Sequence, residues 1–310
     1  MKIEALDIKE IGRIEELKQG IVKISGLPNC AFGAVIEFND VFLPDGQGLK
    51  GMIVEFDAQF AFGIVLGDER KIKVGDTVSS RGQLLSVPVG DNFIGRVVNP
   101  LGNPIDAKGK IEHSAIYPVF RQAAGVMERE PIGEPLHTGI KIIDMLIPLG
   151  KGQRELIVGD RQIGKTSIGL DTIINQKGKN VICIYCWIGG SSAAFNKIMQ
   201  TLHQQGCMDY VLAVCASAGS SASEQYICPY TAAALGEYFM HQGRDVLIIF
   251  DDLTKHSWVY RQMSLLLKRA PGREAYPGDI FFLHSQLMER AGRLKKEFGG
   301  GTMTFFPLAE

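Results

Sequence analysis

The chain has 310 residues, of which 45% are hydrophobic and 22% are charged, which is the composition of a folded globular protein and not of a disordered one. Its formal net charge of −1 lacks the basic excess of DNA- and RNA-binding proteins, so we expect no nucleic acid among its partners. The longest apolar runs fall well short of the roughly 20 residues that span a bilayer, and the N-terminus has no signal-peptide pattern, so we expect a protein of a reducing compartment.

Short, closely spaced strands are predicted in the first part of the chain. Apolar runs between Gly, Pro, Asn and Asp turns predict strands at 21–24, 34–38, 52–56, 60–66 and 84–87. No helical period interrupts them. This density of strands predicts a small N-terminal β-barrel domain over residues 1–90.

The pattern changes after a connector rich in Asn, Pro and Gly at 99–104. Apolar strands then alternate with helices, which predicts an α/β domain with a mostly parallel sheet over residues 91–310. The predicted strands are 155–158, 181–188, 210–215, 245–250 and 302–308, and the predicted helices begin near 165, 192, 229, 257 and 278.

Residues 159–166 fit the phosphate-binding pattern G-x-x-x-x-G-K-[ST] at every defined position, between a predicted strand and a predicted helix. A chance match is the alternative. Glycines allow backbone angles that turn amides toward phosphate oxygens, and a helix N-terminus adds partial positive charge. In a site for ATP or ADP with Mg²⁺, Lys165 would reach the phosphates and the Thr166 hydroxyl would bind the metal. The candidate nucleotide-binding residues are Gly159, Asp160, Arg161, Gln162, Ile163, Gly164, Lys165 and Thr166.

A second motif follows about 85 residues later, where the apolar run 246–250 ends in Asp251 and Asp252. An apolar strand followed by an acid is a weak signal alone, since acids often end strands at solvent. With the phosphate loop upstream, it predicts that Asp251 holds Mg²⁺ through water.

The six cysteines are scattered and do not form a disulfide framework. Cys183 and Cys186 form a C-x-x-C, but they lie inside the apolar run 181–188 and lack a second pair or a histidine at zinc spacing. We therefore predict that they are buried strand residues and assign no metal to them.

Five segments carry specific motifs: GRVVNPLG at 95–102, GEPLHTG at 133–139, GQRELIVGDRQ at 152–162, YRQMSLLL at 260–267 and PGREAYPGD at 271–279. Together they resemble the α subunits of F-type ATP synthases, and the likeness runs from about residue 12 to the end of the chain. The Asp-Arg-Gln inside the phosphate loop separates α subunits from the catalytic β subunits, whose loop is built of small residues.

The resemblance implies a small N-terminal β-barrel followed by a RecA-like P-loop nucleotide-binding domain. It also implies a subunit that alternates with the β subunit in a ring of six around the central γ shaft and binds Mg-ATP without hydrolysing it. Such a regulatory subunit of a proton-translocating ATP synthase is a peripheral membrane protein on the cytoplasmic face of a bacterial energy-coupling membrane, or on an organelle's inner or thylakoid membrane.

The sequence departs from the family at several positions. In β subunits a glutamate after the second core strand orients the attacking water, and most α subunits carry a glutamine there, whereas the matching residue here is Gly190. A residue without a side chain argues against catalysis. The other departures are Ile163, Ser191, Ser192, Ser220 and Gln286.

The two ends of the chain also differ from those of the family. The N-terminal helix that docks the peripheral stalk is missing, so contact with δ or the peripheral stalk is not expected. The chain ends at the 302–308 strand, which lies mid-sheet in the family, so we expect the nucleotide-binding domain to be incomplete at its C-terminus. A fragment and a short paralogue are both compatible with this. The remaining functional alternatives are a stand-alone ATPase or RNA translocase of the same superfamily, and a truncated paralogue that binds β or nothing.

Overall fold

The computed structural model describes residues 9–42 and 48–310, which divide into two compact units. The first unit takes the chain up to Leu85 together with residues 221–223 and 261–277. The second takes Ser86–Ser220, Glu224–Tyr260 and Gly278–Glu310. The predicted domain boundary at residue 90 stays a prediction.

The first unit contains a closed barrel with strand order β1-β2-β5-β4-β3-β6, which confirms the predicted small barrel. Its strands are β1 (Glu10–Lys18), β2 (Ile21–Ser25), β3 (Ala34–Phe42), β4 (Gly48–Phe56), β5 (Phe60–Leu66) and β6 (Thr77–Leu84). Neighbouring strands pair antiparallel all the way around. A continuous cluster of apolar side chains fills the barrel, including Ile14, Val22, Ile24, Ile36, Leu49, Ile53 and Val78.

Two barrel strands were not predicted, and one predicted strand is wrong. β1 alternates charged, exposed residues with the buried Gly12 and Ile14, so it contains no apolar run. β6 is largely polar, although Ser79 and Ser80 are buried. The strand predicted at 84–87 does not form, because β6 ends at Leu84 and a new strand begins at residue 86.

The rest of the described chain alternates strands and helices. In chain order they are β7 (Ser86–Val89), β8 (Val97–Val98), β9 (Ala115–Pro118), β10 (Pro135–Leu136), α1 (Lys141–Leu146), β11 (Leu149–Gly150), β12 (Ile157–Val158), α2 (Lys165–Ile174), β13 (Val181–Ile188), α3 (Ser192–Gln204), β14 (Val211–Ala216), α4 (Ala222–His241), β15 (Asp245–Asp251), α5 (Leu253–Leu266), α6 (Ile280–Met288), β16 (Gly292–Arg293) and β17 (Thr302–Ala309). No helix of the described residues combines the length and hydropathy needed to cross a bilayer.

The main sheet of the second unit has the order β12-β17-β15-β13-β14-β8, and every neighbouring pair in that path is parallel. β16 adds an antiparallel pairing with β17. The predicted mostly parallel sheet is therefore confirmed. All eight residues of β13 are buried, as expected for an apolar strand covered on both faces. The carboxyl ends of β12, β17, β15 and β13 meet at one edge, where ligands bind in open α/β sheets.

Three helices begin near the predicted positions, at Lys165, Ser192 and Ile280, whereas two do not. α4 begins at Ala222, so the predicted start near 229 is wrong and Pro229 lies inside the helix. Burial of the surrounding Ile227 and Cys228 outweighs the hydrogen bond that proline removes.

α5 begins at Leu253 rather than near 257, because the Asp252 carboxylate caps it by accepting a hydrogen bond from the Lys255 amide at 2.8 Å. α6 begins at Ile280, close to the predicted start near 278, after Asp279 at its N-cap position.

A pair of histidines, His256 buried and His284 half-buried, connects α5 and α6. His256 Nε2 lies 2.9 Å from the carbonyl oxygen of Tyr226, and its Nδ1 lies 3.1 Å from Nε2 of His284. Because a carbonyl only accepts, Nε2 of His256 carries the proton and its Nδ1 accepts from His284. Burial and the neighbouring His284 lower the pKa of His256 from 6.5 to about 3.

This histidine makes the free energy of unfolding depend on pH. Between pH 6.5 and pH 3 the unfolded chain binds the proton and the folded chain does not, so stability is full above pH 6.5 and falls on acidification. We expect urea unfolding to show a loss of about 2 kcal/mol from this group between pH 6.5 and pH 5. His256→Gln should remove that component, while His203→Gln, at an exposed position of α3, should retain it. An unchanged pH slope in His256→Gln would contradict the assignment.

Candidate functional site

The phosphate loop lies between β12 and α2, as the sequence predicts. Gly164 occupies the N-cap position of α2 with φ +101°, a left-handed conformation that favours glycine. A Cβ on Gly159 would lie 2.2 Å from Cδ1 of Ile163, so the loop folds closely over its own first residue. The side chains of residues 160–163 are exposed. The loop is thus a surface structure whose glycines permit its path.

Lys165 is folded back over this loop. Its ammonium donates to the carbonyl oxygen of Asp160 at 2.7 Å and also to the carbonyl oxygen of Gly159. These acceptors are neutral, so charged phosphate oxygens would form stronger hydrogen bonds with the same group. The cation is therefore already held at the first turn of α2, beside the loop.

The two predicted metal-binding residues lie in direct contact. The Thr166 hydroxyl donates to Oδ2 of Asp251 at 2.9 Å, which joins the start of α2 to the end of β15. The Tyr185 hydroxyl donates to the same oxygen at 2.7 Å from β13. Burial raises the pKa of Asp251, while the hydrogen bonds from Tyr185 and Thr166 act in the opposite direction.

This donor set fits Mg²⁺. A hydroxyl and a carboxylate are hard oxygen ligands, and Mg²⁺ typically binds one or two such groups and completes its octahedron with water and phosphate. Within residues 9–42 and 48–310, no group of three or more His, Cys, Asp and Glu side chains is placed to hold a metal by itself. This pair of oxygen ligands therefore suits a magnesium ion that arrives with a nucleotide.

A second acid and a lysine lie beside this pair. Asp252 is 4% exposed, and its carboxylate accepts from the backbone amide and the ammonium of Lys255. The Lys255 ammonium also lies 5.8 Å from the ring centroid of Trp187. A positive charge from α5 is thus present at the same sheet edge as Lys165.

Arg161 of the loop is paired outside the loop. Its Nε donates to Oε2 of Glu310 at 2.8 Å, and its guanidinium lies 5.6 Å from the ring centroid of Trp258. The hydrogen bond from Arg161 lowers the pKa of Glu310. The amide of Glu310 donates to the Thr254 hydroxyl at 2.8 Å, which places the residue after β17 against α5.

Gly190 lies just beyond the carboxyl end of β13. An ideal Cβ on Gly190 would lie 2.1 Å from Cζ2 and 2.5 Å from Cε2 of Trp187. The indole therefore takes the space next to the backbone that a side chain at 190 would need. No carboxylate or amide can be supplied from this position.

This steric relation predicts a stability effect. We expect Gly190→Ala to lower the free energy of unfolding by about 1–3 kcal/mol in urea denaturation, because the indole or the backbone must shift. Gly125→Ala is the matched control, since nothing lies within 4 Å of its ideal Cβ and its φ is −69°. In a Trp187→Phe background the cost of Gly190→Ala should fall. An equal cost in both backgrounds would disprove the steric relation.

The predicted burial of the two strand cysteines is confirmed. Cys183 and Cys186 are fully buried in β13, and burial raises the pKa of both thiols. Cys186 Sγ lies 3.6 Å from Sγ of Cys228. Burial also raises the pKa of Cys215, to about 12. These neutral thiols are part of the core.

Sequence reasoning missed four residues at this edge: Tyr185, Trp187, Lys255 and Glu310. Tyr185 and Trp187 belong to an unbroken apolar run, in which nothing distinguishes a side chain at the site from one in the core. Their alternation on one face of β13, with Trp187 paired in register with Asp251, would have indicated them if the strand order had been known. Lys255 follows Asp252 by one helical turn, which was a usable signal.

Comparison with known proteins identifies the family. A family model described as the ATP synthase alpha/beta family, nucleotide-binding domain, matches residues 139–310, and the beta-barrel domain of the same family matches residues 7–82. Relatives named ATP synthase subunit alpha are 50% identical over 310 residues in Clostridium acetobutylicum, 50% over 307 in Petrotoga mobilis and 48% over 306 in Caldanaerobacter subterraneus subsp. tengcongensis.

These alignments cover 100%, 99% and 99% of this chain, but 59%, 60% and 59% of the respective relatives. The chain therefore spans less than two thirds of the length of these α subunits. Both family models match in the order that the barrel and the parallel sheet take in the structure. On these matches, the chain belongs to the ATP synthase alpha/beta family.

Proposed function

We propose that this chain is a regulatory, non-catalytic α subunit of a proton-translocating F-type ATP synthase and that it binds Mg-ATP or Mg-ADP. The observation that carries the proposal is the Thr166–Asp251 hydrogen bond, which joins the phosphate loop to the acidic end of β15. Beside this pair, residue 190 has no side chain that could activate water. Together these residues form a binding site without a catalytic base.

The residues of the loop act by binding and orienting phosphate. Backbone amides of residues 159–164 and the N-terminus of α2 attract phosphate oxygens, and the Lys165 ammonium exchanges its two carbonyl partners for them. Thr166 and Asp251 would hold Mg²⁺, which neutralises charge on the β- and γ-phosphates when bound. Tyr185 orients Asp251 by donating to its Oδ2.

Hydrolysis needs a residue that orients the attacking water and takes its proton. Gly190 offers neither function, and the adjacent Trp187 indole can donate a hydrogen bond but cannot accept a proton. The site therefore favours retention of ATP over its hydrolysis. This property would suit a subunit that regulates neighbouring catalytic sites in proton-coupled ATP synthesis.

The proposed partners are the β subunit, in an alternating ring of six, and the central γ shaft, in a complex peripheral to the membrane. Contact with the peripheral stalk is not proposed. Large apolar side chains are exposed on α1, at Ile142, Met145 and Leu146, and on α6, at Phe281 and Phe282. Exposed apolar side chains of this kind fit a protein that assembles with others. Co-elution with an ATP synthase β subunit in size-exclusion chromatography is expected, and separate elution would contradict the assembly proposal.

Binding is tested by calorimetric titration of the 310-residue chain with ATP, with and without Mg²⁺. We expect Mg²⁺ to raise the affinity of the parent chain and Asp251→Asn to abolish that increase, because the amide keeps the hydrogen bonds but loses the charge that attracts the metal's water shell. Asp171→Asn, at an exposed position of α2, is the control and should retain the increase. Absence of ATP binding, or an equal Mg²⁺ effect in Asp251→Asn, would overturn the proposed site.

A further inference from the structure

Trp187 has a buried hydrogen-bond donor without a partner. The residue is 6% exposed, and its Nε1 makes no hydrogen bond within residues 9–42 and 48–310. A buried N–H group without an acceptor is uncommon and costs free energy, so its retention calls for an explanation. An acceptor that arrives with a ligand is one such explanation.

The position of this donor points to the sheet edge. The three indole atoms nearest to the ideal Cβ of Gly190 are Cζ2, Cε2 and Cη2, at 2.1, 2.5 and 2.9 Å, and Cε2 is the ring carbon bonded to Nε1. The six-membered ring of Trp187 therefore fills the space that a side chain at 190 would enter, and the N–H group lies one bond from this contact. Trp187 is also paired in register with Asp251, the carboxylate at the end of β15.

The surroundings of the indole include an aromatic ring and a cation. The Tyr185 ring, whose hydroxyl donates to Asp251, lies 6.3 Å from the Trp187 ring by centroids, with the planes 22° apart. The Lys255 ammonium, which is ion-paired with Asp252, lies 5.8 Å from the centroid of the indole ring. Donor and cation therefore lie beside the Thr166–Asp251 pair, where Mg²⁺ bridges the β- and γ-phosphates in phosphate-loop proteins.

We propose that Trp187 Nε1 donates a hydrogen bond to an oxygen of the terminal phosphate of bound ATP. The inference rests on the proposed function, because it assumes a nucleotide on the loop. The indole is held by Tyr185 on its own strand and by Phe195 of α3, whose centroid lies 6.1 Å away, so the donor is oriented before the ligand arrives. Since ADP lacks the γ-phosphate, Trp187 makes the site selective for ATP.

The test removes only the N–H group. Benzothiophene in place of the Trp187 indole keeps the ring shape and has no donor, and Trp187→Phe is a second variant that needs no modified amino acid. Calorimetry gives the Kd of Mg-ATP and of Mg-ADP for each protein, after circular dichroism has shown that it folds. We expect the affinity for Mg-ATP to fall about tenfold, as for a hydrogen bond to a charged acceptor, and the affinity for Mg-ADP to stay within about twofold.

A spectroscopic readout accompanies the affinities. The chain has two tryptophans, so Trp258→Phe leaves Trp187 as the sole tryptophan fluorophore. In that background, Mg-ATP should change the indole emission more than Mg-ADP does. The change in emission on adding nucleotide is compared between Trp258→Phe and the same protein in which Trp187 is also replaced.

Each outcome decides the inference. Equal loss of affinity for both nucleotides would reduce Trp187 to a structural role, and unchanged affinities would show that the N–H group is not a ligand contact; either result overturns the inference and leaves the proposed function intact. Failure of the parent chain to bind either nucleotide would overturn both.

Discussion

Arg290→Met is expected to lower the free energy of unfolding by about 3–5 kcal/mol, because it leaves a buried carboxylate without its counterion. Arg290 and Glu237 are both 3% exposed, and the guanidinium forms two hydrogen bonds to the carboxylate, Nε–Oε1 at 2.7 Å and NH2–Oε2 at 2.9 Å. Its NH1 also donates to the carbonyl oxygen of Val119 at 2.8 Å. The substitution therefore removes the charge partner of Glu237 and a donor to a buried carbonyl. Urea denaturation monitored by circular dichroism measures the loss.

The control is the same substitution at an exposed ion pair of the same unit. Arg154 lies 2.7 Å from Glu289, with the side chains 44% and 58% exposed, so Arg154→Met should cost less than about 1 kcal/mol. Adding Glu237→Leu to Arg290→Met should recover much of the stability, since replacing both members of a buried pair by apolar residues is often neutral. A loss at Arg290 no greater than that at Arg154 would contradict the role of the buried pair.

Lys165→Ala is expected to weaken nucleotide binding ten- to a hundredfold. The hydrogen bonds of an ammonium to phosphate are worth about 1.5–3 kcal/mol, and the structure holds this ammonium on the loop carbonyls of Gly159 and Asp160. The fold should be unaffected, because Lys165 is only partly buried at the start of α2. Calorimetric titration with Mg-ATP measures the change in Kd.

Lys177→Ala provides the matched control. Lys177 follows the other end of α2, where its ammonium donates to the carbonyl oxygen of Gln205, so its removal should leave nucleotide affinity unchanged. The same Kd in Lys165→Ala as in the parent would mean that the loop is not the nucleotide site. Equal losses in both variants would indicate a general charge effect instead of a contact.

The site could be predicted from the sequence where local chemistry dictates it. The phosphate loop is a contiguous pattern whose glycines have a conformational role, as Gly164 shows with its φ of +101°. Asp251 follows a recognisable apolar strand. That the loop and this acid meet could be expected because parallel strands place their carboxyl ends at one edge.

Other parts of the structure depend on tertiary packing. The barrel strand β1 has only Gly12 and Ile14 fully buried, and its exposed residues include the apolar Ile11, so its sequence shows no clear alternation of apolar and polar residues. Pro229 lies within α4 because the burial of its neighbours compensates for the missing hydrogen bond. The relation between Trp187 and Gly190 is a contact across three residues at a strand end, which composition and periodicity do not encode.

The chemistry of this sheet edge depends on the side chains present there and on the absence of a side chain at Gly190. Thr166, Asp251 and Tyr185 form a hydrogen-bonded set suited to hold Mg²⁺. Lys165 and Lys255 supply positive charge at the same sheet edge. Gly190 has no side chain that could act as a catalytic base. Under the proposed function, this phosphate-loop site binds Mg-ATP without hydrolysing it.

The most direct test of the account follows the fate of bound ATP. The 310-residue chain, in excess over ATP labelled at the γ-phosphate, is incubated with Mg²⁺ and quenched with acid, and free phosphate is separated from ATP. We predict that the label is bound in the parent chain, is bound less in Lys165→Ala, and is recovered as ATP with no more free phosphate than in a protein-free control. Release of labelled phosphate above the protein-free control, abolished by Lys165→Ala, would contradict the claim that this site binds nucleotide without hydrolysing it.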